Sequence, residues 1–290
     1  MNEGLSVVIA TRDRRDHLLA CLGSLLRSSP PPDWRVEVIV VNNGTRDLAI
    51  DAAALAPPGG AFDLRILTEP RPGKAVAVNT GTAAARGSIV AFLDDDVTVD
   101  PRWTAEVVEE LRSDPSLDLL AGCVRNPDPH ERGVAISRND QAVEIAATHA
   151  LEGLAAGCNL AARRHVIEAV GGRDTRLGPG RGLAYEDIDF IRRILRAGFR
   201  ARFSPNPVVF HRPAARDRSV EYPRGRGAYY VKFILGGDGT VVRHAWWELS
   251  GLCRVVRRGS RPERRAALRT GWHLAIGATV MLGRMLRPSR

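Results

Sequence analysis

Three consecutive aspartates, Asp94, Asp95 and Asp96, close a short apolar run that follows Ser88. The run predicts a buried strand, and because side chains alternate along a strand, we expect Asp94 and Asp96 to point the same way. Carboxylate oxygens suit Mg²⁺ or Mn²⁺, and an ion held by one or two carboxylates usually completes its shell with substrate phosphates. The pattern therefore predicts a divalent-metal site on Asp94 and Asp96. The alternative is a solvated acidic turn at a strand end.

Other polar residues follow predicted strands in the same part of the chain. Apolar runs at residues 5–10, 36–41, 64–67 and 89–93 alternate with helical patterns. This alternation predicts an α/β fold with parallel strands and right-handed crossovers, whose ligands bind beyond the carboxyl ends of the strands. Thr11, Asn42 and Asn43 lie at those ends, as do the three aspartates. The sequence therefore predicts that these side chains share one crevice.

A second acidic pair, Glu186 and Asp187, precedes an amphipathic helical pattern that Gly198 ends. The pair is predicted to occupy the first turn of that helix, where unpaired N–H groups and the helix dipole favour carboxylates. Taken alone, this position is more typical of a structural helix start than of a catalytic acid or base.

Six segments of the chain, in order, resemble the landmarks of the family 2 glycosyltransferases. They are residues 7–14, 40–45, 72–81, 92–97, 157–161 and 185–190. The resemblance spans roughly residues 5–212. It implies a GT-A fold, with a Rossmann-like, mostly parallel sheet flanked by helices. It also implies a nucleotide-diphosphate sugar donor, a divalent metal, Mn²⁺ or Mg²⁺, and transfer with inversion at the anomeric carbon.

The resemblance also implies roles for individual residues. Asp187 would be the general base that takes the proton from the acceptor hydroxyl, and Glu186 would orient the site or the acceptor. His211 would be a further metal ligand, although a buried structural histidine is the alternative, and Arg212 would meet phosphate. The donor site is expected to include Thr11, Arg12, Asp13, Asn42, Asn43, Lys74, Asn79, Asp94 and Asp95.

The asparagine pair departs from the family pattern, in which at least one aspartate is common at this landmark. Asn42 and Asn43 can each donate and accept hydrogen bonds, whereas an aspartate only accepts. Uracil, thymine and guanine therefore all remain open as the donor base. The alternative is that the two asparagines only build the turn before Gly44.

Positive charge is concentrated at the end of the chain. The 290 residues carry a net charge of +9, and residues 241–290 alone hold eleven arginines and two glutamates. We expect a catalytic domain at 1–240, with a nucleotide-binding half at about 1–100 and an acceptor-side half at about 101–240. A basic helical extension would follow at 241–290. Trp246, Trp247 and Trp272 beside the arginines suit an interfacial helix on an anionic membrane; the alternative is an appendage packed on the catalytic domain.

The remaining expectations concern location and competing functions. Four scattered cysteines indicate a reducing compartment. The first strand is predicted to begin within five residues, without a signal peptide. We therefore expect a cytoplasmic protein, peripheral to the inner face of the plasma membrane. The acceptor would be a carbohydrate, a lipid-linked molecule or a small molecule. A nucleic-acid-binding protein is disfavoured because the charge excess does not extend to the polar crevice. A pseudoenzyme that binds sugar nucleotide without turnover remains an alternative.

Overall fold

The computed structural model describes residues 4–56, 60–127, 137, 139–211 and 220–286. The chain divides into two compact units. Unit 1 comprises Met1–Arg173 and Phe190–Ala215, and unit 2 comprises Asp174–Asp189 and Arg216–Arg290. Each unit has an apolar cluster of its own. The larger lies in unit 1, and a smaller one, formed by Leu177, Leu183, Ala228 and Met281, lies in unit 2.

The first half of the unit 1 sheet is parallel. Its strands are β1 Leu5–Thr11, β2 Val36–Asn42, β3 Phe62–Thr68 and β4 Ile89–Asp94, in the order β3-β2-β1-β4. Valine, isoleucine and leucine dominate β1 and β2, and nearly every residue of these two strands is buried, as expected when helices cover both faces of a parallel sheet. The predicted alternation of strands and helices is confirmed.

The second half of the sheet is mixed. Its strands are β5 Val97–Val99, β6 Leu119–Arg125, β7 Val143–Glu144, β8 Asn159–Arg163 and β9 Ala201–His211. Strand β8 runs antiparallel between β4 and β6, whereas β9 is parallel to β6 and antiparallel to β5 and β7. The resulting order is β3-β2-β1-β4-β8-β6-β9-β5, with β7 on β9. This arrangement brings the end of β9 beside the residues that follow β4.

Helices cover the sheet of unit 1. They are α1 Arg15–Leu25, α2 Ala52–Leu55, α3 Lys74–Ala84, α4 Trp103–Ser113 and α5 Arg164–Val170. Helix α3 is rich in small residues because it lies close to the sheet. A Cβ on Gly81 would lie 2.5 Å from Val8 Cγ1. Lys74, the first residue of α3, lies at the carboxyl end of the parallel strands, where it contacts Asp94.

Helix α6, Glu186–Arg196, begins in unit 2, and the rest of it belongs to unit 1. The other helices of unit 2 are α7 Glu221–Leu235, α8 Gly239–Arg258 and α9 Arg261–Met285. Helices α7 and α9 pack at very short range, because a Cβ on Gly227 would overlap the Leu274 carbonyl and a Cβ on Gly277 would overlap the Arg224 carbonyl. A reciprocal capping box between Ser260 and Glu263 starts α9. No helix among the described residues is long and apolar enough to cross a membrane.

Candidate active site

The three aspartates after β4 have three different sets of partners. Asp94 is the last residue of the strand, and its Oδ1 lies 2.5 Å from Nζ of Lys74 at the start of α3. Asp95 and Asp96 form the turn before β5, and both are buried. We expected Asp94 and Asp96 to point the same way because side chains alternate along a strand. The strand ends at Asp94, so this alternation does not extend to Asp96. Because Asp95 and Asp96 are buried, this acidic turn is not a solvated one.

Arg14, the residue before α1, bridges two of these carboxylates. Its Nη2 lies 2.6 Å from Asp95 Oδ1 and its Nη1 lies 2.7 Å from Asp96 Oδ2. Thr11 Oγ1 donates a 2.7 Å hydrogen bond to Asp95 Oδ2. Burial raises the pKa of Asp95 to about 6, although the Arg14 charge and the Thr11 hydrogen bond oppose the shift. The sequence reasoning named Arg12 and Asp13 in this loop and missed Arg14, whose partners lie more than eighty positions away along the chain.

His211 faces Asp96 from the end of β9. Its Nε2 lies 3.4 Å from Asp96 Oδ1, a separation that the antiparallel pairing of Val97 with His211 sets up. Burial alone would raise the pKa of Asp96, but His211 and Arg14 outweigh burial and hold this pKa well below its usual value. Burial alone would lower the pKa of His211, but the neighbouring Asp96 outweighs burial and raises this pKa.

The Asp96–His211 pair has the donor chemistry of a metal site. A carboxylate oxygen and an imidazole nitrogen are both ligands of first-row divalent ions, and 3.4 Å is longer than a typical hydrogen bond. Within the described parts of the chain, no group of three or more His, Cys, Asp or Glu side chains is arranged to hold an ion. Two protein ligands nevertheless fit an ion that takes the rest of its shell from substrate phosphates.

The two asparagines at the end of β2 hold loops: Asn42 is the last residue of the strand and Asn43 follows it. Asn43 donates to the carbonyls of Glu69 and Arg71, at 2.6 and 2.8 Å, and accepts from Gly73 N at 3.0 Å. Asn42 donates to Arg46 O at 2.8 Å and accepts from Gly44 N at 3.0 Å. The amide of Asn43 therefore shapes the segment that leads into α3, and that of Asn42 shapes the turn after β2.

Arg12 and Asp13 differ in their surroundings. Asp13 adopts a positive φ of 55°, and its Oδ1 accepts from Thr45 N at 3.2 Å, which ties the loop after β1 to the loop after β2. Gly44 allows this contact, because a Cβ there would lie 2.5 Å from Asp13 Oδ1. The Arg12 side chain is 51% exposed and makes one long contact of 4.0 Å with Asp13. Arg12 therefore keeps most of its guanidinium accessible to solvent.

Asn79 and Glu69 connect α3 to neighbouring segments of the chain. Asn79 accepts from Arg173 N and donates to Arg173 O, both at 2.8 Å, so that its amide pairs with the backbone of Arg173. Glu69 receives hydrogen bonds from Arg71 and Thr80, which lower the pKa of this carboxyl to about 2. The sequence analysis gave no role to Glu69.

In unit 2, a strained residue precedes the second acidic pair. Tyr185 has a φ of +85°, which is rare outside glycine, and its ring packs 5.9 Å from that of Tyr229. Such conformations persist where the surroundings over-determine them and are concentrated at functional sites. Glu186 is buried, whereas Asp187 is partly exposed and its Oδ1 accepts from Ile188 N at 2.9 Å. Asp187 is thus the member of the pair that solvent or a substrate can reach.

Lys232 of α7 anchors the segment that carries this pair. Its Nζ contacts Asp174 Oδ2 at 2.6 Å and also binds Asp189 Oδ1, which is fully buried. Arg176 is a second partner of Asp174, at 2.8 Å. Sequence reasoning missed Lys232, although a signal was present: it is one of two lysines in a chain with forty arginines.

A cavity of about 640 Å³ lies at the other end of the parallel strands. It is lined by the starts of β2 and β3 and by Arg35, Glu37 and Arg86. Glu37 is held there by Ser6 at 2.5 Å and by Arg65 at 2.9 Å. None of the predicted site residues lines this cavity.

Arg212 lies outside the described residues, and its predicted phosphate contact stays a prediction.

The parallel half-sheet, the antiparallel strand β8 and the acids at the strand ends form a mixed α/β architecture with polar groups at the carboxyl ends of its parallel strands. Residues 6–171 match the family model of Glycosyl transferase family 2, and the chain belongs to this family. Glycosyltransferase AglE of Haloferax volcanii is 28% identical over 233 residues, which cover 78% of this chain and 73% of the relative. Succinoglycan biosynthesis protein ExoM of Rhizobium meliloti is 29% identical over 245 residues, or 80% of this chain and 76% of the relative.

Solved structures show the same fold. A mannosyltransferase of Pyrobaculum calidifontis, PcManGT, in complex with GDP-Man and Mn²⁺ has a TM-score of 0.64 at 19% identity, covering 96% of this chain and 86% of that one. S. aureus TarS in complex with UDP has a TM-score of 0.56 at 14% identity, covering 79% of this chain and 65% of that one. The GT-A fold and the family expected from the six sequence segments are therefore confirmed.

Proposed function

We propose that the chain transfers a sugar from a nucleotide-diphosphate donor to an acceptor hydroxyl, with inversion and with a divalent metal. The buried Asp96–His211 pair carries the proposal, since it joins a carboxylate and an imidazole at the end of the parallel strands, where ligands of such sheets bind. The complexes of similar folds with GDP-Man and Mn²⁺ and with UDP support a donor and a metal of these kinds.

Asp96 and His211 would hold Mn²⁺ or Mg²⁺. When bound, the ion would neutralise charge on the diphosphate leaving group. Asp94 is also predicted as a ligand, and in this structure its carboxylate pairs with Lys74. Asp95 would act through its contacts, because Thr11 and Arg14 fix it in the turn beside Asp96.

Fixed positive charge meets the departing diphosphate in this proposal. Arg14 and Lys74 already lie against the acidic cluster, and preorganised cations at a site of developing negative charge lower the barrier. Arg12 is solvent-accessible and suits a donor phosphate contact. Asn42, Asn43, Asp13 and Asn79 would shape the donor site through the loops that they join.

Asp187 would be the general base. The acceptor oxygen forms a bond to the anomeric carbon as Asp187 takes its proton, and the bond from that carbon to the diphosphate oxygen breaks with its electron pair. Its partial exposure and its place in the first turn of α6 support this assignment over the buried Glu186. Glu186, beside Gly178, would orient the glycine-rich segment at residues 177–183.

A donor screen tests the proposal. Unfolding temperatures would be measured with UDP-, dTDP- and GDP-sugars, with Mn²⁺ and with a chelator, because a ligand of the native state raises its stability. We expect sugars of one nucleotide class to raise the unfolding temperature, and only when metal is present. Slow release of free sugar should accompany that binding. Binding without any release or transfer would identify a pseudoenzyme, and no binding by any donor would overturn the proposal.

A further inference from the structure

An apolar stripe runs along the exposed side of α8. Val242, Trp246, Leu249 and Cys253 recur at helical spacing and are all exposed, with Trp246 68% exposed. Val241 and Ala245, on another side of the same helix, are buried. The helix therefore presents apolar side chains on two sides, one packed within unit 2 and one facing solvent.

Helix α9 repeats the arrangement. Leu268, Trp272, Leu282 and Leu286 lie at positions i, i+4, i+14 and i+18, and all four are exposed, with Trp272 67% exposed. Its buried positions, Ala267, Leu274, Gly277 and Met281, lie on a different side of the helix. Exposed apolar stripes on consecutive helices are unusual for a surface that meets only water.

Arginines accompany both stripes. Eight are exposed on or beside the two helices: Arg243, Arg254, Arg257, Arg258, Arg261, Arg264, Arg265 and Arg269. None of the eight forms an ion pair with a carboxylate of the described residues. The two glutamates of residues 241–290 have other partners, since Glu248 binds Arg226 and Tyr230 while Glu263 caps α9. The positive charge of this surface is therefore uncompensated.

We propose that the exposed stripes of α8 and α9 dock on the surface of an anionic phospholipid bilayer. Tryptophan and leucine side chains would enter the headgroup region while the arginines bind lipid phosphates, which is how interfacial amphipathic helices bind. A second copy of the chain is a poor occupant, because a symmetric interface would set the arginine rows of both copies against each other. Docking does not depend on the proposed transfer reaction, and it would hold the enzyme near a lipid-linked acceptor.

Cys253 allows a direct test on the unmodified sequence. It is the exposed cysteine of the chain, on the α8 stripe, whereas Cys21, Cys123 and Cys158 are buried. A thiol-reactive, polarity-sensitive fluorophore would therefore report from the stripe. With vesicles of equal parts phosphatidylcholine and phosphatidylglycerol, we expect blue-shifted emission that nitroxide-labelled lipid quenches. With phosphatidylcholine alone we expect neither effect, and added salt should reverse both.

Sedimentation of unlabelled protein with vesicles separates the contribution of arginine charge to membrane binding from that of the apolar side chains. Removing the charge of Arg257 and Arg258 with Arg257→Gln and Arg258→Gln should weaken partitioning into the anionic vesicles about thirtyfold, or about fivefold per arginine. Arg27→Gln with Arg112→Gln is the matched control, since it removes the same charge from exposed positions of unit 1 and should leave partitioning unchanged. Trp246→Ser should weaken partitioning while leaving thermal stability intact, because its side chain is exposed.

Three results would overturn the proposal. The first is equal partitioning into neutral and anionic vesicles, and the second is equal loss in the test and control arginine pairs. The third is a blue shift of the Cys253 probe without lipid that disappears on dilution, which would assign the stripes to contacts between copies of the chain.

Discussion

Lys74 Nζ lies 2.5 Å from Asp94 Oδ1, so the first residue of α3 is joined to the last residue of β4. The neighbouring acid that faces an imidazole is Asp96, whose Oδ1 lies 3.4 Å from His211 Nε2. Acids two positions apart in one landmark therefore have different partners, and this difference separates their expected contributions to metal binding.

Replacement of each acid by its amide should distinguish these contributions. Asp96→Asn is expected to lower Mn²⁺ affinity at least tenfold, in the range seen when groups that support a metal site are lost. Asp94→Asn should have a smaller effect on Mn²⁺ and a larger one on donor affinity, because it changes the surroundings of Lys74. Calorimetric titration with Mn²⁺ and then with donor measures both. Equal losses of Mn²⁺ affinity in the two variants would make Asp94 a ligand of the same standing as Asp96.

Asp187→Asn should reduce turnover by roughly 10² or more, the usual contribution of a general base. The donor-induced rise in unfolding temperature should remain, because the substitution removes a proton acceptor and leaves the proposed donor-site residues of unit 1 unchanged. Asp16→Asn is the matched control, since Asp16 is an exposed acid in the first turn of α1. Loss of donor binding in Asp187→Asn, with normal chemistry once donor is saturating, would place Asp187 in the nucleotide site instead.

Lys232→Met should destabilise the protein by roughly 3–5 kcal/mol, the range for removing one partner of a buried ion pair. The reason is that Asp189 is fully buried and Lys232 is one of its cationic contacts. Urea unfolding measures the loss. Adding Asp189→Asn to Lys232→Met should recover part of the stability, because the second substitution removes the buried negative charge. A double variant as unstable as the sum of the two single variants would show that the residues act independently.

Two glycines of α9 should respond in opposite directions to alanine. Gly277→Ala is expected to destabilise the protein, since the added Cβ would overlap the Arg224 carbonyl of α7. Gly283→Ala should stabilise it by up to about 1 kcal/mol, the difference in helix propensity, because nothing lies within 4 Å of the added atom. Thermal unfolding compares the two. Equal effects would mean that α7 and α9 are not packed as closely as described.

Local pattern was sufficient to predict the first half of the fold. The strands at 5–10, 36–41, 64–67 and 89–93 and the helix that begins near Lys74 follow from hydrophobic periodicity. The parallel pairing of these strands follows from the alternation of strands and helices. The same pattern placed Thr11, Asn42 and Asp94 at the carboxyl ends of strands. Strands, helices and the residues at their ends depend on side chains that are close together along the chain, so they can be predicted from a single sequence.

Tertiary structure decided which side chains meet at those ends. Arg14 reaches Asp95 and Asp96 across more than eighty positions, and His211 faces Asp96 because β9 pairs antiparallel with β5. Lys232 joins Asp174 and Asp189 through the docking of α7 within unit 2. These contacts depend on strand register and helix packing between distant segments, which periodicity does not specify. The sequence by itself therefore determined the family, the parallel half-sheet and the edge that bears the acids, whereas the ion-pair partners of each acid were set by the packed fold.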